Sequence, residues 1–162
     1  MDTNFLTENE TEWGIGTDCS GGNDDYDMLE EMRAAILINN THSNGRFITP
    51  KEIFDISTRL NITRLSLNNM RGTLTEGQPA DFISIEINNS KMQPLHDVIN
   101  NIVMCASSKE VKDVFVNGRE VLRNDELVNI DEEKVIHEGK ETVNQIFNKT
   151  GFTKRIQSGE FN

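Results

Sequence analysis

The sequence contains few cysteines and no long hydrophobic run, and both absences restrict where the protein can work. Cys19 and Cys105 are the only two cysteines, which is too few for a disulfide framework. No apolar run approaches the roughly 20 residues that a membrane-spanning helix needs. The first residues are acidic and lack the basic and then apolar order of a secretory signal peptide. We therefore expect a cytoplasmic protein that does not enter a membrane.

Basic side chains are also scarce. The 162 residues include 16 lysines and arginines against 27 aspartates and glutamates, which gives a formal net charge of −11. Such a chain repels phosphate groups, and this argues against binding to nucleic acid or to anionic lipid. The hydrophobic share of 35% and the charged share of 27% are typical of a globular protein, with a length that suits about one domain.

Histidine, the commonest catalytic metal ligand, occurs three times, at His42, His96 and His137. No two of these residues are spaced as the HxH or HExxH pairs that bind a metal ion. The sequence therefore does not predict a complete metal site within this chain.

Apolar side chains recur at three- and four-residue spacing in several places. The pattern predicts helices over residues 28–39, 49–68, 95–106 and 131–147. The second of these has a clear start, with Thr49 at the N-cap, Pro50 at the first helical position and Glu52 three residues after the cap.

Three segments carry strand signals. The short apolar run WGIG at residues 13–16 is bounded by glycine and is typical of a strand buried on both faces. Residues 82–87, FISIEI, alternate in polarity, and Asn117-Gly118 within residues 111–122 predicts a type I′ hairpin. A strand buried on both faces needs a neighbour on each side, and the segments that follow WGIG offer none. The sequence therefore indicates that part of a larger sheet lies outside this chain.

Asp18 stands at the end of the WGIG run, before a loop of small residues, CSGGN. In one interpretation it caps a turn or the next helix, because its oxygens can accept backbone N–H bonds. In the other it is catalytic, because carboxylates at the carboxyl ends of buried parallel strands line the active sites of α/β barrels. There they can bind a cation and accept a proton from bound water. Spacing alone leaves both interpretations open.

Several segments resemble the amidohydrolase superfamily. Residues 14–35, GIGTDCSGGNDDYDMLEEMRAA, are similar to the last barrel-strand motif of its S-adenosylhomocysteine/methylthioadenosine deaminase and atrazine-chlorohydrolase-like branch. Further similar segments follow in the same order at residues 46–67, 72–87, 93–103 and 114–122. The resemblance covers about residues 13–148. Cys19 departs from the family pattern, in which a glycine is common at that position.

The resemblance implies an α/β fold, namely the C-terminal portion of a (β/α)8 metal-dependent hydrolase barrel plus part of a small β-sandwich domain. The implied organisation is a loose N-terminal arm, the last barrel strand with its helices, a partial β-sandwich, a C-terminal helix and a frayed tail. These parts correspond to residues 1–12, 13–70, 71–125, 126–150 and 151–162.

The resemblance also implies roles for three residues. The barrel's final aspartate, which is Asp18 here, binds a divalent metal, zinc or iron, and acts as a base toward the attacking water. Ser20 and Asn23 match the following loop, where they would contact the substrate or support the metal ligands. The family's HxH pair and its other two histidine ligands have no counterpart in this sequence, so the implied metal site is incomplete.

The function implied by the resemblance is hydrolysis of a C–N or C–Cl bond on a purine- or triazine-like ring by metal-activated water. The partners would be the ring substrate and a missing N-terminal half, and this chain would be inactive by itself. In the alternative interpretation the chain is a non-catalytic truncated remnant that self-associates or pairs with another amidohydrolase chain.

Overall fold

In the computed structural model the chain forms two compact units, Met1–Asp125 and Glu126–Asn162. The residues that the structure describes are 6, 9, 11–42, 47–64 and 72–151. Most of the expected arm at 1–12, and all but the first residue of the expected tail at 151–162, lie outside this set. None of the helices within the described ranges is long and apolar enough to cross a membrane.

The first helix, α1 (Met28–His42), supplies a large part of the core of the first unit. Leu29, Met32 and Ile36 are buried, which confirms the apolar face that the spacing predicts. The other buried apolar residues are Ile48, Ile53, Met92, Val103 and Ala106. These residues come from segments far apart in the sequence. They pack together with the buried face of α1, so the core includes contacts between this helix and each of those segments.

The predicted helix over residues 49–68 is confirmed as far as the structure describes it. It consists of α2 (Pro50–Asp55), a π-helical turn (Ile56–Leu60) and α3 (Asn61–Arg64). The predicted capping box is present, since the Glu52 N–H donates to Thr49 Oγ1 at 3.2 Å and the Thr49 N–H donates to the Glu52 carboxylate at 2.8 Å. The last predicted residues, 65–68, lie outside the described set.

An antiparallel sheet and a short helix complete the first unit. They are β1 (Phe82–Ile85), α4 (Val98–Cys105), β2 (Val111–Val116) and β3 (Arg119–Arg123), with strand order β1–β2–β3. Phe82 pairs with Phe115 across the first two strands, and their rings stack with centroids 4.5 Å apart. Asn117 and Gly118 have φ angles of 51° and 72°, which confirms the predicted type I′ turn.

The second unit contains β4 (Glu126–Leu127) and α5 (Glu132–Thr150), which confirms the predicted terminal helix. Asp131 caps α5 by accepting the Lys134 N–H at 2.9 Å. The apolar side chains of this helix lie along one face and are about half exposed: Val135, Ile136, Val143 and Ile146. No described residue of this unit is buried. The apolar face of α5 therefore does not cover a core within this unit.

The predicted strand at residues 13–16 differs from the structure, which assigns no strand to residues 11–19. Trp13 and Ile15 pack against the core, whereas Gly14 and Gly16 are exposed, so the segment is covered on one side rather than on both. The physical reason is the absence of parallel neighbours among the described residues, since a strand needs a partner for its backbone N–H and C=O groups.

The turn between β2 and β3 provides a test of the fold. A Cβ added at Gly118 would meet nothing within 4 Å, so any cost of Gly118→Ala comes from its φ of 72° alone. We expect this substitution to lower the free energy of unfolding by about 1 kcal/mol. As a control, Gly139→Ala in α5 also meets nothing within 4 Å and should stabilise its helix by up to about 1 kcal/mol. Urea unfolding followed by circular dichroism measures both, and equal effects of the two substitutions would contradict the assignment.

Candidate functional site

Asp18 lies on an exposed loop between the packed segment that contains Trp13 and helix α1. Its φ of 61° is in the left-handed region, where a residue other than glycine is held at a cost of about 1 kcal/mol. Its Oδ1 accepts the Cys19 N–H at 2.7 Å. The backbone and the carboxylate of Asp18 are therefore both held by local structure.

Gly22 lies directly beside this carboxylate. The N–H groups of Gly22 and Asn23 both donate to the Cys19 carbonyl oxygen at 2.9 Å, which folds the loop back on itself. A Cβ at position 22 would come 2.9 Å from Asp18 Oδ2, closer than real Cβ atoms approach an oxygen. Glycine at position 22 therefore leaves the space that the Asp18 side chain occupies.

Asn23 connects the loop to α1. Its Nδ2 donates to the Thr17 carbonyl oxygen at 3.2 Å and to Glu31 Oε1 at 2.5 Å. Thr17 precedes Asp18 directly, and Glu31 belongs to α1, so the amide joins the Asp18 peptide to a rigid helix. The structure thus brings Asn23 next to the Asp18 backbone.

Ser20 is exposed in the same loop. Its N–H donates to the Tyr26 hydroxyl oxygen at 3.3 Å, which closes the loop at its other end. Hydrogen bonds from the side chain and the backbone of Ser20 hold the pKa of Tyr26 below its usual value. The three predicted site residues, Asp18, Ser20 and Asn23, are therefore all on one short loop that is tied down in several places.

The N-cap of α1 is Asp27, not Asp18. Asp27 Oδ1 accepts the N–H groups of Leu29 at 2.9 Å and Glu30 at 3.3 Å, and its Oδ2 accepts the Ser108 N–H at 2.9 Å. The interpretation of Asp18 as the cap of the next helix is therefore wrong. Asp18 does stabilise the turn, because its carboxylate accepts the Cys19 N–H.

Asn61 anchors the segment before Asp18. Its Nδ2 donates to the Ile15 carbonyl oxygen at 2.8 Å. Its Oδ1 lies so near the backbone of Gly14 that a Cβ there would be only 1.7 Å away. The sequence does not predict that Asn61, Gly22 and Glu31 support the site. Their contacts depend on the path of the backbone, and the small residues of the loop are the only sign of them in the sequence.

A family model described as the amidohydrolase family matches residues 4–121, well over half of the chain. The chain belongs to the amidohydrolase family.

Curated relatives of this amidohydrolase include 5-methylthioadenosine/S-adenosylhomocysteine deaminases. The protein from Pelotomaculum thermopropionicum is 32% identical over 137 residues, which cover 84% of this chain and 31% of the relative. The protein from Bacillus cereus strain ATCC 14579 is 34% identical over 127 residues, which cover 77% of this chain and 29% of the relative. The chain thus spans about a third of the length of the curated relatives it matches.

Solved structures show the same fold. An adenosine deaminase from Xanthomonas campestris with bound zinc superposes with a TM-score of 0.82 at 24% identity, covering 88% of this chain and 33% of that one. An atrazine chlorohydrolase from Arthrobacter aurescens complexed with zinc gives 0.72 at 23% identity, covering 83% of this chain and 30% of that one. The amidohydrolase described here is thus a partial α/β chain of a TIM-barrel-type fold that carries an antiparallel sheet.

The residues of the described ranges do not fit a complete metal centre. A catalytic zinc site uses three protein ligands, and no three histidine, cysteine, aspartate or glutamate side chains come together in those ranges. His96 is exposed, and His137 Nε2 of α5 lies 3.5 Å from the Glu141 carboxylate instead. The carboxylate of Asp18 can supply one ligand, which is too few to hold an ion tightly.

The charge of Asp27 makes the junction of loop and helix sensitive to pH. Partial burial raises the pKa of this carboxyl, but the hydrogen bonds from Ser108, Leu29 and Glu30 more than offset the effect, so the pKa lies below its usual value. A carboxyl group whose pKa is lowered on folding stabilises the protein above its unfolded pKa of about 3.9. That contribution is lost as the pH falls through the folded pKa.

Asp27→Asn tests this coupling, because it keeps an oxygen acceptor for the helix N–H groups and removes the charge. We expect the variant to lower the free energy of unfolding at pH 7 by about 0.5–1 kcal/mol. The difference from the wild type should shrink as the pH falls below about 4. Urea unfolding across this range measures it, with Asp24→Asn, which removes the same charge outside the cap, as the control. A difference that stays constant with pH would contradict the prediction.

Proposed function

We propose that this chain carries the aspartate of an amidohydrolase active site that hydrolyses a C–N or C–Cl bond on a purine- or triazine-like ring. One observation carries the proposal. Asp18, the aspartate of the family-like motif, is exposed in a left-handed conformation that its own neighbours maintain, whereas Asp27 performs the helix capping. Residues held in the left-handed region cluster at active sites, and Asp18 combines this conformation with the position of the family-like aspartate.

The relatives support the choice of substrate class. The curated relatives are named as deaminases of 5-methylthioadenosine and S-adenosylhomocysteine, which contain a purine ring, and a solved relative is a chlorohydrolase of a triazine. In both reactions water replaces a leaving group on a ring carbon, and the water must lose a proton. Asp18 has an exposed carboxylate that can accept this proton, and Ser20 has an exposed position from which it can contact the ring.

The divalent metal of the proposed reaction, zinc or iron, needs more ligands than the Asp18 carboxylate alone can supply. We propose that Asp18 is one ligand and that histidines outside this chain supply the others, as the resemblance implies. The activity therefore belongs to a protein longer than this chain, since the chain covers about a third of its curated relatives. We propose that this chain forms the C-terminal part of that protein.

The purified 162-residue chain tests the proposal. With zinc or iron(II) supplied, we expect weak metal binding and no turnover of 5-methylthioadenosine, S-adenosylhomocysteine or atrazine, because one carboxylate holds an ion only weakly and cannot by itself complete a catalytic metal site. Calorimetric titration and release of ammonia or chloride measure the two properties. Asp18→Asn should abolish the weak binding, and Asp97→Asn, at the N-cap of α4, is the matched control. Robust hydrolysis by the isolated chain, or equal metal binding by Asp18→Asn, would contradict the proposal.

A second candidate is that the chain is a non-catalytic remnant that self-associates or pairs with another amidohydrolase chain. The half-exposed apolar face of α5 favours it, because exposed apolar surface promotes association. Light scattering after size exclusion at increasing protein concentration should then show a rising mass. A monodisperse monomer that melts cooperatively would count against this candidate.

The coding sequence upstream of Met1 separates the two candidates. A continuous reading frame that encodes an HxH motif supports the enzyme, whereas a stop codon supports the remnant.

A further inference from the structure

We propose that Glu31 is a positioning residue for Asp18, and that it acts through the side-chain amide of Asn23. The inference rests on the proposed function only for the importance of Asp18, since the contacts themselves do not depend on the chemistry. The Glu31 carboxylate then fixes the peptide bond that precedes Asp18.

The side-chain amide of Asn23 connects Glu31 to the peptide bond before Asp18. A side-chain amide nitrogen carries two hydrogens, and Asn23 Nδ2 directs them to the Thr17 carbonyl oxygen and to Glu31 Oε1. Both donors are thereby used within the protein. Asn23 thus cannot donate a hydrogen bond from this nitrogen to a substrate without releasing the loop, and the structure assigns it a supporting role.

The Thr17 carbonyl oxygen belongs to the peptide bond between Thr17 and Asp18. A hydrogen bond to this oxygen therefore restrains the orientation of that peptide group, on which the Asp18 φ angle depends. Asp18 has a φ of 61°, which costs about 1 kcal/mol for a residue other than glycine. Such a conformation persists only where the surroundings determine it more than once. The Asn23 amide supplies one of these constraints, and the Cys19 N–H supplies another.

Glu31 is a strong and firmly placed acceptor for the Asn23 amide. Glu31 is on α1, whose neighbouring residues Leu29 and Met32 are buried, so its position is set by the core rather than by the loop. A hydrogen bond from an amide to a charged carboxylate is about twice as strong as one between neutral groups. The 2.5 Å contact therefore fixes Asn23 in the orientation that reaches Thr17.

Glu30 provides a matched control on the same helix. It is exposed in the first turn of α1, and its side chain makes no hydrogen bond within the described part of the chain. Removing it changes the net charge and the helix in the same way as removing Glu31, but leaves Asn23 untouched.

The test uses nuclear magnetic resonance of the full 162-residue chain with the variants Glu31→Ala, Glu31→Gln and Glu30→Ala. The readouts are the intraresidue HN–Hα NOE of Asp18, which is strong only when its φ angle is positive, and the hydrogen exchange of the Cys19 amide. For Glu31→Ala we expect the NOE to weaken and the Cys19 amide to exchange roughly tenfold faster. Glu31→Gln keeps an oxygen acceptor but loses the charge that strengthens the bond, so it should give smaller changes than Glu31→Ala. Glu30→Ala should match the wild type.

Asn23→Ala gives a second route to the same result. It removes the amide at a loop position outside the helix, and it should reproduce the changes of Glu31→Ala even where the helix variant unfolds. An unchanged intraresidue HN–Hα NOE of Asp18 in Asn23→Ala, or in a folded Glu31→Ala, would overturn the proposal. Equal changes in Glu30→Ala and Glu31→Ala would overturn it as well.

Line broadening by Mn²⁺ separates this proposal from the proposed function. Broadening centred on Asp18 in the wild type supports a metal-binding role for that residue. Without it the proposed function fails, while the intraresidue NOE of Asp18 in the variants still decides whether Glu31 positions the residue.

Discussion

The burial of one face of α1 is the constraint on which the rest of the first unit depends. Leu29, Met32 and Ile36 form the part of the core that comes from this helix, and the segment with Trp13 packs against the same cluster. Each buried side chain of this size contributes about 1.5–3 kcal/mol. Because the loop with Asp18 is bonded to α1 through Glu31, a displacement of the helix would move the candidate site with it.

A second constraint is that residues 13–16 have no strand partner within the described ranges. In a barrel these residues would be held by parallel neighbours, and the strand would determine where the following aspartate points. Here Asn61 holds the Ile15 carbonyl instead, and a folded loop holds Asp18. The local hydrogen bonds therefore maintain the geometry of the candidate site within this chain, although the ladder that belongs to the fold family is absent from the described residues.

Features that depend on a few adjacent residues could be predicted from the sequence. The capping box of Thr49, the type I′ turn at Asn117 and the apolar faces of α1 and α5 all follow from local patterns, and the structure contains them. The strand at residues 13–16 was predicted wrongly, because a strand also depends on partners. The contact of Asn23 with Glu31 could not be predicted, since it requires knowing how the loop returns to the helix.

We propose that this amidohydrolase chain presents the Asp18 carboxylate to a metal ion. The most direct measurement is anomalous X-ray diffraction at the zinc edge from crystals of the chain soaked in zinc. We expect an anomalous peak about 2.0–2.2 Å from a carboxylate oxygen of Asp18. Zinc bound elsewhere on the chain, with the Asp18 carboxylate unliganded at a saturating zinc concentration, would contradict it.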